Sequence, residues 1–282
     1  MVENRPLYTF LTHAILILGV ALVLFPVWIA FVASTHTSFR LNSGIAPFWP
    51  GGEFWTNYSL ILSDGASRNG LPPVLPMMLN SLVMALGVAF GKIVICILSA
   101  FAIVYFRFRF RMVAFWAIFM TLMLPVEVRI VPTFQVVAGL GLLNSYAGLV
   151  VPLIASATAT FLYRQVFLSI PDEMLEAARI DGAGPLKFLW DIVIPLTRTS
   201  TAALFVILFV YGWNQYLWPL LVTTQPDYYT VVMGIQRIAR AVDSEPVWNL
   251  VMGVAVMAML PPVIVVIAMQ KLFVRGLTET EK

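Results

Sequence analysis

Long apolar blocks constrain this chain more than any other feature of its sequence. Only 11% of the residues are charged, whereas a soluble domain averages about 25%. A helix needs about 20 apolar residues to cross the hydrocarbon core of a bilayer. By that length rule, the blocks lie at about 12–34, 77–105, 112–136, 144–168, 198–222 and 247–273. They predict an all-α integral membrane protein with six transmembrane helices.

The distribution of basic residues predicts the orientation of these helices. Six crossings place both termini on the same side of the membrane. Most of the 17 Lys and Arg residues fall in the segments on that side, and the "RFRFR" run at 107–111 is the densest group. Because Lys and Arg accumulate in cytoplasmic loops, we predict that both termini are cytoplasmic. The first apolar block is too long for a signal peptide and is predicted to remain as a helix.

One polar stretch, "EAARIDGAGPLKFLWDIVIPL" at 176–196, lies between the fourth and fifth blocks on the predicted cytoplasmic side. Ser169 and Asp172 match a capping box at the start of a helix. Gly182 is placed to end that helix with a positive φ, and Pro185 after Gly184 begins a second helix. The sequence therefore predicts a cytoplasmic helix-turn-helix, too polar to cross the membrane.

Two interpretations of this helix-turn-helix are open: a connector lying on lipid, or a docking element for a protein. Ala177 and Ala178 remove bulk from one face, and Glu176 offers a charge. Anionic headgroups repel the carboxylates that begin the first helix, which favours a protein partner. The second helix carries an apolar stripe at helical spacing, formed by Leu186, Leu189, Trp190 and Val193.

The spacing within this stretch resembles the EAA loop of ABC importer permeases. The matching residues are Glu176, Ala177, Ala178, Gly182, Ile192, Ile194 and Pro195, with Ile194 where leucine is usual. The stretches "LPVEVRIVPTF", "LLNSYAGLVVPL", "FLYRQVF" and "GWNQYLWPL" resemble the smaller permease of maltose-type importers, which is MetI-like. Within that family, "ENRP", "LSAFAIVYFRF", "PVEVRI", "SATATFLYRQ" and "FVRGL" are most similar to the second permease subunit of sn-glycerol-3-phosphate importers.

The resemblance implies one permease domain over residues 1–282, with a MetI-like core at 76–273 and a coupling loop at 169–196, in a bacterial inner membrane. Its implied partners are a second homologous permease, two copies of a cytoplasmic ATPase, an extracytoplasmic solute-binding protein and lipid, without nucleic acid. ATP and Mg would bind the ATPase, so this chain would need no cofactor and would be no enzyme. The implied substrate is sn-glycerol 3-phosphate or glycerophosphodiesters; a neutral sugar or polyol is the alternative.

The resemblance also implies that the EAA residues couple this chain to its ATPase. The coupling residues are Glu176, Ala177, Ala178, Gly182, Ile192 and Pro195.

Three charged residues are candidates for the substrate path. Lys92 falls inside the second block, where a charge facing lipid would cost at least about 2.5–3.5 kcal/mol. It is either paired with a carboxylate or a positive element of an anion path. Glu127 and Arg129 lie at the outer end of the third block between two prolines, which predicts a broken helix. Arg129 could bind two phosphate oxygens, or reach lipid headgroups.

An aromatic run in the fifth block supplies the remaining candidates. Asn214 and Gln215 lie between Trp213 and Tyr216. Aromatic faces with amides suit a polyol or sugar. The alternative is an interfacial aromatic belt with amides that bond between helices.

Other classes of protein fit the sequence less well. The phosphate-loop lookalike at 87–93, "GVAFGKI", has one residue too few and lacks Ser or Thr after Lys92. A membrane-embedded enzyme would need a catalytic cluster, but His13 and His36 lie near opposite ends of the first block. A secondary transporter would normally show internal repeats. The single cysteine, Cys96, fits a small buried hydrophobe, and no Cys/His cluster suggests a metal site.

Overall fold

The computed structural model describes residues 6–44, 47–63, 73–239 and 247–279. This part of the chain is almost entirely helical and contains no strand. The α-helices are α1 (Pro6–Ser34), α2 (Ser38–Asn42), α3 (Phe54–Ser63), α4 (Val74–Tyr105), α5 (Arg111–Met120), α6 (Val126–Gly139), α7 (Tyr146–Val150), α8 (Ala157–Leu168), α9 (Asp172–Ile180), α10 (Pro185–Phe188), α11 (Ile194–Leu196), α12 (Arg198–Trp213), α13 (Leu217–Val222), α14 (Val231–Ala239) and α15 (Trp248–Glu279).

The six apolar blocks fold into helices of unequal length. Three stretches are long and apolar enough to cross a membrane alone: Leu7–Ser34, Val74–Tyr105 and Trp248–Gln270. Two bent pairs pass the same test together, Tyr146–Leu153 with Ala157–Leu168 at 51°, and Pro185–Leu196 with Arg198–Trp213 at 76°. The predicted third crossing is divided between α5 and α6, with a 3-10 turn at Thr121–Met123. The all-α membrane class is confirmed, and the number of six crossings stays a prediction.

The chain forms two compact units, of which the first comprises residues 1–76 and 234–260. Its buried centre is an amide network. Asn57 of α3 donates from Nδ2 to the carbonyls of Ser34, at 2.8 Å, and His36, at 2.9 Å. Asn249 of α15 donates to Asn57 Oδ1 at 3.0 Å. Every amide in this chain of bonds is satisfied, as buried polar groups must be, and the network fixes α3 against the end of α1.

The second unit comprises residues 77–233 and 261–282 and is built around α4. A Cβ added to Gly91 would lie 2.5 Å from Cγ2 of Ile154, and one added to Gly212 of α12 would lie 2.9 Å from Cα of Ala85. Small residues therefore let these backbones approach closely, as is common between membrane helices. A buried apolar cluster joins α4, α6, α7 and α13 through Met84, Val88, Val137, Leu149, Trp218 and Val222.

Two asparagine side chains of the second unit bind the loop before α14. Asn80 of α4 donates from Nδ2 to the carbonyls of Asp227, at 2.7 Å, and Tyr229, at 3.0 Å, and accepts a bond from the Tyr146 hydroxyl at 2.7 Å. Asn144, at a φ of 52°, accepts through Oδ1 from the backbone N–H of Thr224 at 2.7 Å. The loop before α14 is therefore held by amide side chains. That loop leads into α14 at Val231.

Candidate functional site

The first helix of the 169–196 segment, α9, ends in a Schellman motif. The N–H of Ala183 donates to the carbonyl of Ala178 at 2.9 Å, and the N–H of Gly182 donates to that of Arg179 at 3.1 Å. This pair of bonds requires a left-handed residue after the helix, and Gly182 has a φ of +71°. The predicted conformation of Gly182 is confirmed, and the two bonds explain why the turn needs it.

The predicted capping box is wrong. Ser169 ends α8, and its hydroxyl donates to the carbonyl of Val166 at 2.7 Å. Pro171 instead precedes the first turn of α9, with φ −59° and ψ 139° and no side-chain cap. Asp172 and Glu173 lie in that first turn, where their negative charges interact favourably with the positive end of the helix dipole. Sequence spacing alone could not distinguish a cap from the end of the preceding helix.

The second half of the segment is wider than a regular α-helix. Residues Leu189–Val193 form a π-turn between α10 and α11, with the N–H of Ile194 bonded to the carbonyl of Leu189. Pro195 follows at once and has no N–H to donate to the carbonyl of Asp191. Ile192 is half-buried in the π-turn and Pro195 is exposed.

This half is anchored on α4 by aromatic contacts. Phe188, 2% exposed, packs edge-on against Tyr105 with ring centroids 5.1 Å apart. The Tyr105 hydroxyl donates to the carbonyl of Phe167, at the end of α8, at 3.2 Å. Phe188 therefore packs against the end of α4, which is itself bonded to the end of α8.

Three apolar side chains of the 169–196 segment are exposed. Ile180 is 86% exposed, Leu186 68% and Trp190 66%. The predicted stripe of the second helix is therefore divided, since Leu189 and Val193 are buried while Leu186 and Trp190 are not.

The two alanines of the EAA spacing also lie on different faces, contrary to the prediction of one small-residue face. Ala178 is buried at 4% exposure, whereas Glu176 and Ala177 are exposed. Successive helical residues point about 100° apart, so only one alanine can face outward. Five exposed residues of the segment are called here the coupling surface: Glu176, Ala177, Ile180, Leu186 and Trp190.

Lys92 is buried without a described carboxylate. Its side chain is 5% exposed, and Nζ lies 3.7 Å from the centroid of the Tyr211 ring of α12. The structure therefore places an aromatic ring beside Lys92, a contact that sequence analysis missed. Tyr211 stands two residues before Trp213, just outside the aromatic run that the sequence analysis singled out.

Arg129 lies in the first turn of α6, and its position at the outer end of a crossing stays a prediction. The helix breaks at Leu124 and Pro125, as predicted, but Pro132 lies inside α6 without a break. The guanidinium is exposed, so it is open to a ligand or to a partner. The side chain of Glu127 lies outside the described residues.

The aromatic run falls at the break between α12 and α13. Trp213 is 2% exposed and stacks on Phe209 at 6.0 Å. Asn214 is exposed, and the side chain of Gln215 donates to the carbonyl of Tyr211 in the last turn of α12 at 3.2 Å. Tyr216 is half-buried. The Gln215 amide thus caps the end of α12, and Asn214 remains as an exposed amide at the break.

Comparison with known proteins decides the family. Residues 92–279 match the model of the family described as "Binding-protein-dependent transport system inner membrane component". The chain belongs to this family. It is 53% identical, over the full length of both chains, to the "sn-glycerol-3-phosphate transport system permease protein UgpE" of Agrobacterium fabrum. It is 52% identical over the full length to the protein of that name from Yersinia pestis bv. Antiqua.

A solved structure shares the fold of this binding-protein-dependent transport component. It is described as the "Crystal structure of a bacterial ABC transporter involved in the import of the acidic polysaccharide alginate". The TM-score is 0.81 at 21% identity, with 96% of this chain and 98% of that chain covered. The predicted ABC permease family and the transport role are therefore confirmed. A membrane-embedded enzyme and a secondary transporter, weighed from the sequence, do not describe this family.

Proposed function

We propose that this chain is the membrane permease subunit of an ATP-driven importer of sn-glycerol 3-phosphate, with glycerophosphodiesters as a second substrate group. One observation carries the proposal: the 53% identity over the whole of both chains with a relative named for that transport. The chain would lie in a bacterial inner membrane with both termini cytoplasmic, as the arrangement of its basic residues favours.

The partners in this proposal are a second homologous permease, two copies of a cytoplasmic ATPase and an extracytoplasmic solute-binding protein. ATP and Mg²⁺ are held by the ATPase, and this chain needs no cofactor. The coupling surface supports a protein partner, because it exposes the apolar side chains of Ile180 and Trp190 on the same segment as Glu176. Apolar and aromatic anchors with a charge are typical of protein interfaces, whereas anionic headgroups disfavour the carboxylate.

In this mechanism, closure of the ATPase moves the coupling surface, and the packed ring pair of Phe188 and Tyr105 passes that movement to α4. Gly182, with its Schellman bonds, keeps the two halves of the segment at a fixed angle. The candidates for the substrate path contact the substrate in this mechanism. Arg129 and Lys92 present positive charge to a phosphate, and the exposed Asn214 offers an amide to a polyol.

Two measurements test the proposal. An affinity-tagged chain, expressed with its neighbours, is expected to purify with an ATPase and a second permease, and the loaded binding protein should stimulate ATP hydrolysis. Uptake is then measured for phosphorylated and neutral polyols. Saturable uptake of sn-glycerol 3-phosphate is expected. Uptake of neutral polyols alone would contradict the proposed substrate class but not the proposed role as an importer subunit.

The predicted topology has its own test. Lys187→Cys, at an exposed position next to the coupling surface, should react with a membrane-impermeant thiol reagent only from the cytoplasmic side. Asp227→Cys, in the loop before α14, should react only from outside. The native Cys96 is buried and gives a low background. Labelling of Lys187→Cys from outside would refute the orientation.

Charge reversal at Arg129 tests its role. Arg129→Glu is expected to raise the transport KM far more for a phosphorylated substrate than for a neutral one, because only the former places a dianion against the new carboxylate. Arg109→Glu, on an exposed cation of the "RFRFR" run, is the matched control. Equal effects of Arg129→Glu on both substrates would exclude direct phosphate contact.

A further inference from the structure

We propose that Arg111 and Arg164 bind the phosphodiester headgroup of one anionic phospholipid, whose acyl chains lie along an exposed apolar stripe of α5. The proposal gives a binding role to part of the basic run at 107–111, which the sequence analysis used only as a sign of orientation. It does not depend on the transported substrate, since lipid surrounds a membrane protein whatever that protein carries.

The basic run lies at the end of a helix that can cross the membrane alone. That helix, α4, ends at Tyr105, and α5 begins at Arg111. The run between them is therefore placed where headgroups meet the protein. The surrounding sequence is electropositive, because residues 65–171 include seven basic side chains and a single acidic one, Glu127. Anionic lipids are attracted to such clusters beside membrane helices.

Arg164 of α8 is held over an aromatic ring of α5. Its Cζ lies 4.5 Å from the centroid of Phe115, and Phe115 is itself only 6% exposed. Nε of Arg164 has no hydrogen-bond partner among the described residues, and the side chain as a whole is half-buried. Stacking fixes the plane of a guanidinium without satisfying its donors. The ring therefore positions a planar fork that suits two phosphate oxygens.

Arg111 lies beside this stacked pair. It is the first residue of α5, four positions before Phe115, and residues four apart in a helix are neighbours on one face. Aromatic side chains of a helix lean toward its N-terminus, so the Phe115 ring leans toward the turn of Arg111. Phe110 supplies no side-chain cap to this end of α5, and the helix dipole adds positive charge there. Two arginines from different helices thus meet at the start of α5.

A stripe of exposed apolar side chains continues from this cationic end along α5. Val113 is 64% exposed, Trp116 54% and Met120 62%, and their spacing places them on one face. Met120 lies nine residues after Arg111, about 14 Å at 1.5 Å per residue. This length is close to half of a hydrocarbon core about 30 Å thick. A phospholipid has the same order, an anionic head above chains one leaflet long, which favours lipid over a water-soluble partner.

The experiment uses the assembled importer in detergent and two variants for which a built site and a diffuse attraction predict opposite results. Arg164→Lys keeps the charge but removes the planar fork that stacks on Phe115. Arg109→Gln removes an exposed charge of the same run but leaves both site residues in place. Arg111→Gln is the second site variant.

The probe is phosphatidylglycerol, compared with phosphatidylcholine that carries the same acyl chains. Native mass spectrometry counts the lipids retained as the lipid concentration is raised. The thermal unfolding midpoint in phosphatidylcholine confirms that each variant is folded.

The wild type should bind phosphatidylglycerol in preference to phosphatidylcholine, and Arg109→Gln should bind it almost as well, because one exposed charge contributes little. Arg164→Lys should bind about fivefold more weakly and Arg111→Gln about tenfold more weakly, because each loses hydrogen bonds to the headgroup. Inorganic phosphate at equal ionic strength should not displace the lipid, because it has no acyl chains to cover the stripe.

A spin label tests whether lipid covers the stripe. A nitroxide on Val113→Cys in the assembled importer should be relaxed by oxygen, which dissolves in lipid, and not by a polar nickel chelate. The native Cys96 is buried and gives a low background. Protection from both reagents would mean that a partner subunit covers the stripe, and it would overturn the proposal.

Two further results would also overturn it. If Arg109→Gln weakened phosphatidylglycerol binding as much as Arg164→Lys did, the attraction would be diffuse and no built site would exist. If inorganic phosphate displaced the lipid, the two arginines would bind a free anion instead of a phospholipid.

Discussion

The sharpest prediction concerns Gly182, whose replacement should uncouple ATP hydrolysis from uptake without disturbing the fold. A Cβ at this position would meet nothing within 4 Å, so the cost of a side chain is purely conformational. At a φ of +71°, an L-residue loses about 1–2 kcal/mol, and a β-branched residue is a genuine outlier. Gly182→Val should therefore shift the balance between the native turn and other conformations by a factor of about 5–30.

The neighbouring Gly184 provides a matched control. It also has nothing within 4 Å of an added Cβ, but its φ of −72° and ψ of 167° suit any residue and are favoured before a proline. Gly184→Val should therefore couple normally. Gly182→Asn should be milder than Gly182→Val, because asparagine tolerates the left-handed region.

The assay is the ratio of substrate imported to ATP hydrolysed in proteoliposomes, with the thermal unfolding midpoint measured in parallel. Gly182→Val should lower the ratio while the midpoint changes little, because the turn is exposed and local. Two results would contradict this prediction. If Gly182→Val imported as much substrate per ATP as the wild type, or if Gly184→Val lowered this ratio equally, the left-handed turn would not be needed to transmit the movement.

The remaining predictions concern packing and hydrogen bonding. Gly212→Ala should lower stability by about 1–3 kcal/mol through overpacking, since its Cβ would lie 2.9 Å from a backbone atom, whereas Gly139→Ala has open space and should be neutral in the same thermal unfolding assay. Asn80→Ala should cost about 1–3 kcal/mol and make the loop before α14 more sensitive to added protease, because two carbonyls lose their donor. Phe188→Ala should cost about 3–5 kcal/mol of stability. Trp190→Ala should leave stability unchanged and weaken binding of the purified ATPase by about 2 kcal/mol or more. The reverse pattern would contradict the assignment of Phe188 to the buried face and of Trp190 to the exposed face.

Local features of the 169–196 segment could be predicted from the sequence because they depend on backbone chemistry. Gly182 adopts the left-handed conformation, and Pro185 begins the next helix after Gly184, as their residue types require. Ser169 failed as a cap because its role depends on where α8 ends, which is set by packing rather than by spacing. A local pattern is decisive only where one residue type can satisfy it.

Tertiary features of the site could not be predicted in the same way. The periodicity of the second helix makes Leu186, Leu189, Trp190 and Val193 equivalent, yet two are buried and two exposed. Three of these residues lie in the π-turn at Leu189–Val193, which departs from the regular helical spacing that the prediction assumed. Likewise, the contact between Lys92 and Tyr211 joins residues of distant helices. Periodicity identifies an apolar stripe, but only contacts show which part of it another protein could cover.

In the proposed function, α4 links the candidate substrate path to the coupling surface. α4 is one continuous helix of 32 residues, about 48 Å long at 1.5 Å per residue. Asn80 near one end holds the loop before α14, Tyr105 at the other end packs on Phe188, and Lys92 lies between them. Coupling between two sites requires an element whose state both ligands bias. A substrate that passes Lys92 and an ATPase that binds the coupling surface would act on the same helix, which makes α4 the element through which the two could be coupled.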